Sequence, residues 1–90
     1  MVSGVLTIIN EHGLHVRPAG TLVSICRPFD ADVKLRFKGA EYNLKSVLGV
    51  VSANIKCGDV VEFVCDGPEE KEALKAIEKA VKDGFNGIYN

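Results

Sequence analysis

The 90-residue sequence predicts an α+β domain of two layers, with helices packed on one face of an antiparallel sheet. Three observations carry that expectation. Residues 32–38 alternate strictly between apolar Val33, Leu35 and Phe37 and basic Lys34, Arg36 and Lys38, the period of a strand with one wet face. Residues 68–83 place Ala73, Ala76, Ile77, Ala80 and Val81 on a single helical stripe. Between and around these segments the pattern runs β-α-β-β-α-β-α in a chain too short for two cores, so one domain spanning 1–90 is expected, without repeat or linker.

Each element has its own signal. Residues 5–9 are a β-branched, apolar run closed by Asn10-Glu11-His12-Gly13, which reads as a mostly buried strand followed by a loop. In residues 18–29 the apolar positions Ala19, Leu22, Val23 and Cys26 recur at i, i+3, i+4 and i+7. Pro18 sits where a first-turn proline is tolerated, and Pro28 ends the pattern. After 32–38, Gly39-Ala40 turns the chain into residues 41–44 to complete a hairpin. Ser46 is a good N-cap ahead of Val47-Leu48-Gly49-Val50-Val51, a short helix that breaks near Asn54. Lys56-Cys57-Gly58-Asp59 is a turn, and residues 60–66 form a strand with Val61, Phe63 and Cys65 on one face. The last helix has Glu69, Glu70 and Glu72 in its first turn, Lys82 in its last, and Gly84 as its stop.

Composition removes several function classes. A hydrophobic fraction of 47% and a charged fraction of 26% exclude a disordered chain. Eleven Lys and Arg against twelve Asp and Glu give a net charge of −1, without the cationic excess of a nucleic-acid binder. An RNA-binding sheet would also need exposed aromatics, whereas Phe37 and Phe63 fall in the apolar phase of their strands. No apolar run approaches the roughly 18 residues that cross a bilayer, and Met1-Val2-Ser3-Gly4 has no basic region ahead of an apolar one. A cytoplasmic protein with no membrane partner is expected. Cys26, Cys57 and Cys65 are widely spaced with no C-x-x-C, so they read as small core or edge hydrophobes rather than a disulfide framework or zinc site. His12-x-x-His15 offers two imidazoles with only Glu11 nearby as another ligand type, and a ferredoxin-like metal chaperone would want paired cysteines; no metal is expected.

The unusual local feature is Gly13-Leu14-His15-Val16-Arg17-Pro18-Ala19, which puts an imidazole and a guanidinium at the entrance of a helix. Free N–H groups and the positive end of the macrodipole lie there, and Arg17 can make planar, multi-donor contacts with phosphate oxygens. On spacing alone two readings stand: an anion site around His15, or a capping histidine beside a solvated arginine. His12 likewise reads either as a solvent-facing loop residue or as a second imidazole in reach of whatever His15 binds.

The same seven residues resemble the active-site signature of HPr, the histidine-containing phosphocarrier of the bacterial phosphoenolpyruvate-dependent sugar phosphotransferase system, in which a G-[LIM]-H-A-R-P-[AG] stretch carries the phosphorylated histidine. A second segment, residues 43–51, resembles that family's regulatory serine region, and the order of elements resembles its open-faced β-sandwich, a four-stranded antiparallel sheet covered on one face by three helices. The resemblance spans essentially the whole chain. It implies a phosphocarrier rather than an enzyme, without a cofactor. His15 would accept a phosphoryl group on Nδ1 from phosphorylated enzyme I and pass it to sugar-specific enzyme II A domains, with Arg17 contacting the phosphoryl oxygens. Ser46 matches the serine that an ATP-dependent HPr kinase/phosphorylase modifies in Gram-positive relatives.

A monomer that docks with several partners through one surface is expected, built from Val16, Gly20, Arg27, Lys45, Val47, Leu48 and Val51 around His15 and Arg17. Leu48 and either Val47 or Val51 cannot all face inward at helical spacing. Three positions depart from the family's pattern: Val16 stands where Ala is usual, Gly20 where Thr or Ser is common, and His12 where a small polar residue is frequent. The runner-up within the resemblance is a paralogous carrier of a regulatory or nitrogen-related branch, and outside it a small non-enzymatic regulatory binding domain.

Overall fold

The structure, a computed structural model, describes residues 1–85; the last five residues of the expected 1–90 domain lie outside that range. Its elements are β1 (Val2–Thr7), α1 (Val16–Cys26), β2 (Asp32–Phe37), β3 (Ala40–Asn43), α2 (Val47–Ser52), β4 (Val60–Asp66) and α3 (Glu70–Lys82). The strands form one antiparallel sheet in the order β1-β4-β2-β3. The last strand thus pairs between the first two, and the chain returns over one face of the sheet through α1 and α3. The architecture is the open-faced sandwich expected from the sequence.

The alternation in β2 and β4 decides which face is covered. Val33, Leu35 and Phe37 point inward beside Val61, Phe63 and Cys65, and all six are buried. They meet Ala19, Leu22, Val23 and Cys26 of α1 and Ala73, Ile77 and Val81 of α3 in one core. At roughly 1.5–3 kcal/mol for each fully buried large side chain, this cluster is the main source of stability. The outward face keeps Lys34 and Arg36 in water, where Arg36 bridges Glu41 at 2.7 Å and Glu62 at 3.6 Å. Among the described residues no helix is long and apolar enough to cross a membrane.

Several boundaries differ from the sequence expectation for identifiable reasons. β1 is not a buried strand over 5–9: it starts at Val2, pairs with Cys65 there, and ends at Thr7. As an edge strand it exposes alternate residues, so Val5 is 64% exposed, and Ile9 beyond its end 53%. α1 begins at Val16 rather than Pro18 and ends at Cys26 rather than 29. Pro18 is its third residue, and the last bond of its ladder runs from the Arg27 N–H to Val23. Lys38 is not a strand residue: with φ +51° beside Gly39 at +79°, it forms a two-residue hairpin turn. α3 starts at Glu70, two residues after Pro68, and ends where Gly84 takes a φ of +58°.

Candidate functional site

The loop from Ile8 to His15 is pinned to the turn that precedes β4. Ile8 donates to Asp59 at 2.9 Å and accepts from Gly58 at 2.7 Å, while Leu14 donates to Ile55 at 3.0 Å. Within the loop, Gly13 donates to the Asn10 carbonyl at 3.0 Å, closing a turn with Asn at its first position and Gly at its fourth. The Asn10 side chain, 1% exposed, donates from Nδ2 back to the Gly13 carbonyl. Gly13 has φ +68°, and a Cβ there would fall 2.4 Å from the Ile55 carbonyl oxygen and 2.6 Å from the Lys56 Cα. Glycine is therefore demanded twice, by conformation and by space. Leu14, 2% exposed, anchors the loop's end in the core.

These constraints deliver His15, half-buried, as the N-cap of α1. Its backbone is extended (φ −77°, ψ −173°), and its carbonyl accepts the Ala19 N–H at 3.0 Å, the first bond of the helix. The N–H groups of Val16 and Arg17 precede that bond and have no intrahelical acceptor, while Pro18 has none to satisfy. His15 thus stands at the helix end where backbone donors and the positive end of the helix dipole converge, the arrangement that favours an anion, and its side chain makes no capping hydrogen bond there. Val16, 63% exposed, and exposed Arg17 flank it. The His12 ring lies 6.2 Å from that of His15, edge towards face at 71°. Beside them, Val16, Arg17, Gly20, Thr21, Ser24 and Ile25 line an open depression along α1, and a Cβ on Gly20 would meet nothing within 4 Å.

Arg27, Lys45, Ser46 and Val47 gather at the far end of α1 from His15. α1 and α2 pack side by side. The Lys45 ammonium reaches the Phe29 carbonyl, just past the end of α1, at 3.0 Å, and residues 55–56 close on Gly13 and Leu14 at its start. The two helices therefore run antiparallel, so Ser46 and His15 lie at opposite ends of the pair. Arg27, the C-cap of α1, sits exposed at the Ser46 end. Ser46 caps α2 as its sequence position implied, accepting the Gly49 N–H on Oγ at 3.1 Å. Leu48 is 82% exposed, Val47 and Val51 are half-buried against the core, and Val50 is wholly buried.

Sequence reasoning missed Asn10. It read as an ordinary loop residue, yet it braces the turn that aims His15, and the Asn-x-x-Gly spacing of a type I turn was the available signal. Among the described residues no group of three or more His, Cys, Asp and Glu side chains is placed to hold a metal ion. Burial pushes the Cys26 thiol up to about 12 and raises Cys65, while Cys57 is exposed, its Sγ 3.7 Å from the Ile9 carbonyl.

Comparison with known proteins places this geometry in context. Residues 2–83 match the family model described as "PTS HPr component phosphorylation site". Among solved structures, HPr-C-His from Thermoanaerobacter tengcongensis superposes with a TM-score of 0.93 at 30% identity, covering 96% of this chain and 97% of that one. The phosphocarrier protein HPr from Bacillus anthracis gives 0.85 at 30% identity, over 89% of this chain and 95% of that one. A Mycoplasma histidine-containing phosphocarrier protein gives 0.87 at 26% identity, over 93% and 97% of the two chains.

Proposed function

Because the chain belongs to the HPr family, the phosphocarriers of the bacterial phosphoenolpyruvate-dependent phosphotransferase system, we propose that it relays a phosphoryl group on His15 from phosphorylated enzyme I to sugar-specific enzyme II A domains. The observation that carries this reading is the position of His15 as the N-cap of α1, next to two backbone donors without intrahelical acceptors and with Arg17 exposed in the helix's first turn.

Each transfer exchanges one nitrogen–phosphorus bond for another. The lone pair on Nδ1 of His15 attacks phosphorus as the donor's phosphohistidine bond breaks, and the electron pair of that bond returns to the donor imidazole. The onward step is the reverse on a new acceptor. Little covalent machinery is required, since positioning and charge stabilisation supply most of the acceleration. The helix end and Arg17 hold the equatorial oxygens, and the pinned loop keeps the imidazole from swinging away. Because the group must leave again, the protein acts as a carrier and does not turn over alone.

Docking partners would meet Val16, Gly20 and Leu48, with the half-buried Val47 and Val51 behind them. Arg17 and Arg27 rim this face, and Lys45 is tethered at one edge, a charge pattern that suits acidic partners. Ser46 is the proposed regulatory position, phosphorylated by an ATP-dependent kinase. Phosphate added at this cap would lie at the far end of the docking face from His15, so it acts on association rather than on the chemistry.

The test is a reconstituted relay. Labelled phosphoenolpyruvate and enzyme I should load the chain, and the label should move on to an added enzyme II A domain. Loading with no transfer to any sugar-specific acceptor would contradict the sugar-uptake role. Arg17→Ala should slow loading by about 1–3 kcal/mol of barrier, the scale of a lost charge-assisted contact. Size-exclusion chromatography of the loaded protein should report the expected monomer.

A further inference from the structure

We infer that His12 is a second phosphoryl-contacting residue, whose imidazolium holds an oxygen of the group carried on His15, making the loaded state sensitive to pH. This rests on the reading of His15 as the acceptor and adds a residue to its site.

The geometry that points to it is the pairing of the two rings. They stand 6.2 Å apart between centroids and edge to face, too far for a direct nitrogen-to-nitrogen hydrogen bond of about 3 Å. The gap is wide enough for one oxygen atom bonded to phosphorus on one ring to accept from the other. His12 cannot drift far from this position. It lies inside the turn closed by the Gly13 N–H to the Asn10 carbonyl, with the buried Asn10 amide on one side and Gly13 wedged against Ile55 and Lys56 on the other. Its own side chain is exposed and packs into no core, so it stays available to an incoming charge.

Electrostatics gives the direction. A phosphoryl group on His15 brings close to two negative charges to the loop, and an opposite charge within about 4–6 Å favours the protonated imidazole, which has two N–H donors. Among the described residues, the other charged and titratable groups on this loop, the first turn of α1 and the turn packed against the loop are Glu11, His15, Arg17, Lys56, Cys57 and Asp59. Asp59 is engaged by the Lys56 N–H at 2.8 Å. None of these changes charge on loading except His15, so the new charge dominates the difference between the two states. Loading should therefore raise the proton affinity of His12. Below its midpoint the imidazolium protects the phosphohistidine; above it the charge assistance and one of the two donors are lost.

The experiment loads the protein chemically with potassium phosphoramidate, which removes any dependence on a protein donor. Intact mass with His15→Ala as control identifies the acceptor, and proton–carbon NMR follows the His12 ring through a pH titration before and after loading. Expected are one phosphoryl group that His15→Ala does not take up, a His12 midpoint raised by about one pH unit or more, and faster phosphohistidine hydrolysis in His12→Gln at pH 6 with little difference at pH 9. Loading at His15 with an unmoved His12 midpoint overturns the role of His12 and leaves the carrier reading intact. Failure to load, or loading on His12 instead, overturns both.

Discussion

Replacing Gly13 with Ala tests how the loop presents His15, and its cost can be worked from the structure. The residue sits at φ +68°, a region that costs a side chain about 1–2 kcal/mol. The added Cβ would also fall 2.4 Å from the Ile55 carbonyl oxygen and 2.6 Å from the Lys56 Cα, and both neighbours are backbone that cannot rotate aside. Relief requires the loop and the 55–56 segment to separate, which breaks the 3.0 Å bond from the Leu14 N–H to Ile55 at about 1 kcal/mol. The sum is about 2–3 kcal/mol, or roughly 8–24 °C in Tm for a domain of this size. Gly39→Ala is the control: φ is +79° there, but nothing lies within 4 Å of the new Cβ, so only the conformational cost of about 1–2 kcal/mol applies. Thermal unfolding followed by circular dichroism reads both. A Gly13→Ala protein no less stable than Gly39→Ala would refute the wedge between the loop and residues 55–56.

Other perturbations have equally definite outcomes. Ser46→Ala should lose about 1 kcal/mol by freeing the Gly49 N–H, whereas Ser46→Asp, itself a good cap, should keep its stability yet accept phosphate from enzyme I more slowly; equal loading rates at low salt would refute the regulatory role. Iodoacetamide at pH 8 should label Cys57 alone in the folded protein, because burial raises the thiols of Cys26 and Cys65; rapid modification of three thiols would contradict the packing. Stability should fall as pH drops below about 4.5. The Gly67 N–H holds Glu70, and Arg36 holds Glu41, below the usual carboxylate range, so both contributions are present above the unfolded pKa and lost as pH falls through the folded values. The double variant Glu41→Gln, Glu70→Gln should flatten that acid decline, and an unchanged slope would reject the assignment.

The sheet and the helices were legible wherever a single face meets water. β2 announced itself because each inward residue is apolar and each outward one charged, and β4 and α3 because their stripes are uninterrupted. β1 was misread because hydrophobicity alone does not say where pairing occurs: Ile8 is apolar as a plug at the strand's end, while Val2, Gly4 and Leu6 pair and pack only because β4 lies beside them. The site was legible as a local motif, since His15, Val16 and Arg17 adjoin in sequence and one helix end organises them. What holds it was not. Asn10 is buried in a loop that residues 55–59, more than forty positions later, clamp through Ile8, Gly13 and Leu14, and no local pattern encodes those contacts. The separation of Ser46 from His15 was equally invisible, because it depends on the antiparallel packing of α1 and α2.

The role of His15 as acceptor is decided most directly by intact-mass measurement after incubation with phosphoenolpyruvate and enzyme I. The parent and His12→Ala should each gain one phosphoryl group, lost again on brief acid treatment as a phosphohistidine requires, and His15→Ala should gain none. A mass gain that persists in His15→Ala, or that survives acid, would contradict the account.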